Sequence, residues 1–206
     1  MSVRRAEARV RAAVPAPVRR LLHPLRVQLD PTSPKSTRRK RATIRRYARR
    51  FGTPVLVETG TYRGTTVRAM RRHFARIYSI ELDDELYERA RRRFAADRHV
   101  EILHGDSGDL LPSLVERIDE PCLFWLDGHF SDWGTARGAT ASPLRRELDA
   151  VLRRRQYDVV LIDDARSLTG SDGYPTLEEL RALVRATRPE LVVEVRDDVV
   201  RIHPPT

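Results

Sequence analysis

The stretch Val55-Leu-Val-Glu58-Thr-Gly60-Thr-Tyr-Arg-Gly64-Thr65 decides the fold of this 206-residue chain. The apolar residues before Glu58 are typical of a buried strand, and the glycines at 60 and 64 permit a tight turn before a helix begins. A second apolar run follows and ends at Glu81, 21 residues after Gly60. This order of strand, glycine turn, helix and strand-end acid predicts a pocket for a nucleoside cofactor.

Strands and helices alternate through the rest of the chain. Runs such as Val159–Ile162 are apolar on both faces, as expected of strands covered by helices on two sides. Leu191–Val195 and Val199–Ile202 are separated by only three residues, too few for a crossover helix, so they predict an antiparallel hairpin. The fold class is therefore α/β, with a doubly wound, mostly parallel seven-stranded sheet that ends in a C-terminal antiparallel β-hairpin. The predicted strands before the hairpin are 54–58, 76–81, 99–104, 122–127 and 158–163, and the helices that follow them are 65–75, 84–95, 109–118, 142–155 and 176–186.

Charge separates the chain into two parts, a basic N-terminal arm with its linker over residues 1–40 and one domain over residues 41–206. The first 50 residues hold 16 of the 39 Lys and Arg and only two acidic residues, whereas the remainder has a net charge of −4. An arm of this charge can meet the phosphates of nucleic acid or anionic lipid. It can equally be a solvated segment, because the whole chain prefers arginine. Asp30–Pro34 is the predicted linker, and a helix is predicted over Ser36–Phe51.

The single cysteine, Cys122, leaves no partner for an internal disulfide, and its apolar surroundings predict a small buried thiol. No apolar run reaches the roughly 18 residues that a membrane span requires. The arginine-studded start also lacks the continuous apolar segment of a secretory signal. We therefore expect a cytoplasmic protein.

Candidate cofactor-binding residues lie at the ends of the predicted strands. Glu58 would repel a pyrophosphate and favour a sulfonium or amino group, and its spacing to the glycines differs from the Gly-x-Gly-x-x-Gly of dinucleotide dehydrogenases. Glu81 can accept from both ribose hydroxyls, or it is a solvated acid at a strand end. Asp106 can accept from an adenine amine, can cap the next helix, or can do both. The full predicted set is Glu58, Thr59, Gly60, Thr61, Tyr62, Gly64, Thr65, Glu81, Asp106, Ser107 and Asp127.

A parallel sheet closed by a hairpin, together with this glycine turn and Glu81, resembles the class I S-adenosylmethionine-dependent methyltransferases over residues 52–204. The resemblance implies S-adenosylmethionine as the cofactor. It also implies that residues at the carboxyl edge of the sheet hold both the methyl donor and its acceptor.

Three carboxylates are predicted to converge at that edge, because Phe124-Trp-Leu-Asp127-Gly-His129 and Leu161-Ile-Asp163-Asp164-Ala end adjacent strands. Carboxylates that close repel one another unless a cation or a proton lies between them, and oxygen ligands favour Mg²⁺. The arrangement resembles the metal-dependent, macrocin-type O-methyltransferases. That resemblance implies Asp127, Asp163 and Asp164 as metal ligands and Asp127 or His129 as the general base. Alternatively, the Asp163-Asp164 pair is a helix cap and His129 is a structural residue.

The motifs Trp-Leu-Asp-Gly-His and Leu-Ile-Asp-Asp-Ala-Arg also resemble small bacterial class I methyltransferase-like proteins that have no assigned substrate. We expect Mg²⁺-assisted O-methylation of a small hydroxylated molecule such as a sugar or secondary metabolite, with Trp133 and Tyr174 on loops that close over it. One alternative is methylation of RNA or a lipid headgroup held by the arm. The other is a non-catalytic module that binds S-adenosylmethionine.

Overall fold

The structure is a computed structural model that describes residues 34–127, 142–171 and 173–205. The chain divides into residues 1–42 and residues 43–206, and the sheet lies wholly in the second unit. Most of the predicted basic arm and linker, residues 1–33, lies outside the described part. The elements in chain order are α1 Pro34–Phe51, β1 Val55–Thr59, α2 Thr65–Met70, β2 Arg76–Glu81, α3 Asp84–Phe94, β3 Val100–His104, α4 Ser107–Glu116, β4 Cys122–Leu126, α5 Leu144–Leu152, β5 Val159–Ile162, α6 Leu177–Thr187, β6 Val192–Arg196 and β7 Val199–His203.

The seven strands form one sheet in the order β3-β2-β1-β4-β5-β7-β6. The first five strands are parallel, and β7 runs antiparallel to both β5 and β6. The predicted fold class is thus confirmed, including the terminal hairpin. The strand order reverses between β1 and β4, and ligands of open α/β sheets bind in the crevice at the carboxyl ends of such strands. The topology therefore places a ligand site beside the Gly60 turn.

Two apolar cores cover the two faces of the sheet. Val55 and Val57 of β1 pack in the core that contains α4, α5 and α6, whereas Leu56 packs with α2, α3 and residues 44–48. Because successive strand side chains point to opposite faces, Glu58 lies on the side of Leu56 and Thr59 on the side of Val57.

Two predictions about β4 are confirmed. Cys122 is fully buried, and Trp125 is a core residue rather than a surface aromatic. Burial raises the pKa of the Cys122 thiol to about 12, so this thiol is inert at neutral pH.

Some helix boundaries differ from the prediction for local reasons. Helix α4 begins at Ser107 rather than at 109, because the Asp106 carboxylate accepts a hydrogen bond from the Gly108 N–H and caps the helix two residues earlier. Helix α2 ends at Met70 rather than at 75, where the His73 N–H bonds back to the Met70 carbonyl in a tight turn. Within the described ranges, no helix has the length and apolar character of a membrane span.

Candidate functional site

The carboxyl ends of four parallel strands bring most of the predicted site residues to one edge of the sheet. In the register of the sheet, Thr59 lies beside Leu126, and Leu126 lies beside Ile162. Asp127 donates its N–H to the Thr59 carbonyl at 3.3 Å. In the same way, Asp163 donates its N–H to the Leu126 carbonyl at 3.0 Å. The predicted donor and acceptor residues are therefore neighbours in space, although up to about a hundred residues separate them in the chain.

The turn after β1 has the backbone that its glycines predict. Gly60, Tyr62 and Gly64 all have positive φ, at 86°, 48° and 62°. A Cβ added to Gly64 would lie 2.8 Å from the Phe94 ring, so a side chain cannot be accommodated there without displacing that ring. The Gly60 N–H donates to the Ile80 carbonyl at 2.9 Å, which ties the turn to the end of β2.

Glu81 is fixed between this turn and the start of α3. Its Oε2 accepts from the Tyr62 N–H at 2.6 Å and its Oε1 accepts from the Asp83 N–H at 3.0 Å. The residue is only 6% exposed, so it is not a solvated acid at a strand end. Each carboxylate oxygen can accept a second hydrogen bond, as a ribose hydroxyl would require.

Glu58 is a buried carboxyl group, only 2% exposed, that accepts a hydrogen bond from the Ser79 hydroxyl at 2.6 Å. Burial raises the pKa of Glu58 to about 8, the Ser79 hydrogen bond lowers it, and the nearby Asp127 charge raises it again. Within the described ranges no basic side chain pairs with it. A bound cation would supply the missing compensation, which fits the chemistry of a sulfonium donor.

Asp106 performs the capping role that was one of its two predicted functions. Its carboxylate caps α4 and also accepts from the Arg146 guanidinium at 3.1 Å. Arg146 bonds to Asp109 as well, so it clamps α5 onto the first turn of α4. A contact between Asp106 and an adenine stays a prediction.

Glu147 is a site residue that sequence reasoning missed. It lies in the first turn of α5, is 1% exposed, and accepts a hydrogen bond from the Ser107 hydroxyl at 2.5 Å. Burial raises the pKa of Glu147 to about 7, although the Ser107 hydroxyl and the adjacent Thr59 hydroxyl both lower it. The sequence signal for its burial is that Glu147 lies on the same helix face as the apolar residues Leu144 and Leu148.

A narrow pocket lies between the ends of β4 and β5 and the start of α5. Its polar side chains come from Ser142, Glu147, Asp163 and Tyr174, and its remaining walls are apolar. Burial raises the pKa of the Tyr174 hydroxyl, so this group stays protonated at neutral pH. The free space between these groups is about that of one water molecule, so they can meet a hydroxyl of a ligand but do not enclose a sugar or catechol ring. The lining residues are Leu126, Ser142, Pro143, Leu144, Glu147, Ile162, Asp163, Leu168 and Tyr174.

The predicted metal ligands are adjacent but do not form a metal-binding cluster. Asp163 Oδ1 accepts from the N–H of Asp164 at 2.9 Å, while Asp164 has φ of 49° and pairs with the Arg166 guanidinium at 3.0 Å. Among the residues that the structure describes, no three His, Cys, Asp or Glu side chains are grouped to hold a metal ion. The described residues thus show no ready-made ligand set for Mg²⁺, and the assignment of Asp127, Asp163 and Asp164 as ligands stays a prediction.

The alternative role of the aspartate pair as a helix cap is also not seen. Asp164 precedes a short 3₁₀ turn over Ala165–Ser167 without a side-chain cap bond. Of the two candidate general bases, Asp127 is half-buried at the end of β4. His129 lies outside the described residues, as does Trp133.

No protein-family model matches this chain, and no curated protein matches it in sequence. Solved structures do match. The O-methyltransferase TomG from Streptomyces achromogenes, involved in tomaymycin synthesis and solved with S-adenosylmethionine, has a TM-score of 0.55 at 19% identity, over 81% of this chain and 79% of TomG. The methyltransferase PaMTH1 from Podospora anserina, bound to S-adenosylhomocysteine, has a TM-score of 0.56 at 17% identity, over 100% and 98% of the two chains.

The 23S rRNA methyltransferase ErmE is also similar, with a TM-score of 0.52 at 18% identity over 81% of this chain and 68% of ErmE. These likenesses show that the chain has the class I methyltransferase fold, as the motifs predict. Since that fold serves both small molecules and RNA, the acceptor has to be argued from the site.

Proposed function

We propose that this chain is an S-adenosylmethionine-dependent methyltransferase that acts on an oxygen atom of a small hydroxylated molecule. The observation that carries the proposal is that two carboxyl groups, Glu58 and Glu81, border the Gly60 turn. Glu81 is anchored by backbone N–H groups with lone pairs to spare, and Glu58 is buried without a basic partner in the described part of the chain. Together they suit the ribose and the positive charge of this donor.

The donor would be held by the predicted turn residues. Glu81 would accept from the ribose, the backbone of residues 59–65 would approach the donor closely because of its glycines, and Asp106 and Ser107 would border the adenine. When bound, the sulfonium supplies an activated methyl group. The chain's own contribution is then to orient the acceptor hydroxyl and to receive its proton.

The acceptor would lie over the mouth of the pocket beside Tyr174, and the polar groups of that pocket would align one of its hydroxyls. Asp127 is the candidate proton acceptor within the described residues, and His129 is the second candidate. O-methyltransferases predominate among the solved structures with this fold that match the chain, which favours oxygen as the target.

RNA is the second candidate acceptor, because the first 50 residues are strongly basic and ErmE shares the fold. The negative charge of the site argues against RNA as the acceptor. Glu81, Asp127 and Asp163 would repel a phosphate backbone at short range. An RNA substrate predicts an affinity that falls steeply with salt, since every neutralised phosphate releases counterions.

Calorimetric titration of S-adenosylmethionine into the full chain tests the donor site. Wild type should bind with a Kd on the order of micromolar, and Glu81→Ala should weaken binding at least about tenfold. Glu85→Ala, an exposed acid in α3, is the matched control and should bind as wild type does. Absence of binding by the folded wild type would end the methyltransferase proposal.

Methyl transfer is measured with a tritiated donor against catechols, sugars and RNA, with Mg²⁺ and then with EDTA. Transfer to a catechol or sugar supports the proposal, and loss of that transfer in EDTA would support the predicted metal ligands. Donor binding without transfer to any of these classes would favour the non-catalytic module.

A further inference from the structure

Two buried carboxyl groups flank the end of β1 on opposite faces of the sheet. Glu58 lies on the face covered by α2 and α3, where it accepts from the Ser79 hydroxyl of β2. Glu147 reaches the other face from α5, where it accepts from the Ser107 hydroxyl and lies beside Thr59. Both are at most 2% exposed, so the Gly60 turn is bordered by acid on either side of the sheet.

Among the described residues, the hydrogen-bond donors to these carboxyl groups are hydroxyls and not cations. Within the part of the chain that the structure describes, the charged groups that face Glu58 are the carboxylates of Asp127 and Glu81. Glu147 faces Asp106, which disfavours its charge, and Arg146, which favours it. Arg146 already pairs with Asp106 and Asp109, so it neutralises only part of a negative charge on Glu147. Burial of an ionised carboxylate is costly without full compensation, and both groups therefore favour the protonated form.

Their acidities agree with this geometry. Burial raises the pKa of Glu58 to about 8 and that of Glu147 to about 7. Near neutral pH, Glu58 is then mostly protonated and Glu147 is about half protonated. A positive charge placed near either group favours the carboxylate and expels the proton to solvent.

We propose that Glu58 and Glu147 act as a charge sensor that makes the site prefer the cationic methyl donor over its uncharged thioether product. This inference rests on the proposed function. S-adenosylmethionine carries a sulfonium, and transfer of the methyl group leaves S-adenosylhomocysteine with a neutral sulfur. The donor is thus held by two carboxylates, whereas the product leaves them without a sulfonium partner, so they regain protons and the product dissociates.

The sign of the pH dependence follows from this linkage. The donor binds the ionised forms, so protons are released on binding and donor affinity rises with pH through about 7 and 8, then levels off. Product affinity should rise less, because only its amino group is cationic. The ratio of donor to product affinity should therefore grow several-fold between about pH 6 and about pH 9.

Titration calorimetry in buffers of different ionisation enthalpy counts the released protons directly. The probes are S-adenosylmethionine, S-adenosylhomocysteine, and an analogue with an ammonium group in place of the methylsulfonium. Near pH 7 we expect roughly half to one proton released with the sulfonium donor, a similar number with the ammonium analogue, and fewer with the thioether. Equal release with donor and thioether would overturn the inference.

Glutamine variants identify the groups that release the protons. Glu58→Gln and Glu147→Gln each keep an oxygen that accepts from the neighbouring hydroxyl, yet neither can ionise. Each should reduce the difference in proton release between donor and thioether, and the double variant should abolish it. Glu116→Gln removes an exposed acid from α4 and should leave it unchanged.

Circular dichroism verifies that the double variant is folded. If this variant still shows the full difference in proton release between donor and thioether, other groups release the protons and the assignment is overturned. If wild type binds both ligands and releases equal numbers of protons with each, only this inference is overturned. Failure of wild type to bind either ligand would sink the proposed function as well, so the two failures are distinguishable.

Discussion

Arg154 forms a buried clamp at the edge of the sheet opposite the candidate site. Its Nε lies 2.8 Å from Asp158, with both side chains at most 6% exposed. The remaining guanidinium N–H groups donate to the backbone carbonyls of Val115, Ile118 and Glu120 at 2.6–2.9 Å. One side chain therefore joins the end of α4 and the approach to β4 to the start of β5.

Arg154→Met should strongly destabilise the protein. It leaves a buried carboxylate without its cation and three carbonyls without their donor, and breaking a buried pair from one side costs about 3–5 kcal/mol. The Cys122 N–H still donates to Asp158 at 2.7 Å, so we place the loss at the lower end, about 3 kcal/mol. Adding Asp158→Asn to the Arg154→Met variant preserves that bond and removes the unpaired charge, and should recover about 1–2 kcal/mol.

Urea denaturation followed by tryptophan fluorescence and circular dichroism measures these free energies of unfolding. Arg153→Met is the matched control, since it removes an exposed arginine one residue away and should change stability by less than about 0.5 kcal/mol. A loss below about 1 kcal/mol for Arg154→Met, or strict additivity in the double-mutant cycle, would refute the reasoning.

Three further perturbations test other parts of the structure. Glu58→Gln should raise the free energy of unfolding by about 4 kcal/mol near pH 8 and much less near pH 5. Glu58 keeps its proton up to about pH 8 in the folded chain, whereas in the unfolded chain it loses the proton near pH 4.5, so stability falls as pH rises between these values. Glutamine cannot ionise and avoids this loss, which urea titrations at both pH values check. Gly64→Ala forces a Cβ against Phe94 at a positive φ, and should lower the midpoint of thermal unfolding by several degrees, with a cost of about 1–3 kcal/mol. Tyr47→Phe removes a 2.5 Å hydrogen bond to Glu194 and should cost about 1–2 kcal/mol at neutral pH. That bond lowers the pKa of Glu194, so the difference should shrink as pH falls through the acid range, and an unchanged difference in acid-range urea titrations would contradict it.

The candidate site was predictable wherever its residues depend on local sequence. Glu81 ends an apolar strand at a fixed distance from the Gly60 turn, and the pairing of β2 with β1 places it beside that turn. Glu147 was missed because its partner, Ser107, lies 40 residues earlier in the chain. The ion pair between Arg166 and Asp164 was likewise not part of the expected convergence of carboxylates.

The sequence by itself determined the alternation of strands and helices, the hairpin after β5, and the positive-φ turn at Gly60 and Gly64. These features follow from periodicity, loop length and the missing Cβ of glycine, all of which act between near neighbours. Only the tertiary structure decided which carboxylates would be anchored, capped or buried without a cation. Those outcomes depend on which helix each strand end meets, and burial then sets the charge of Glu58 and Glu147.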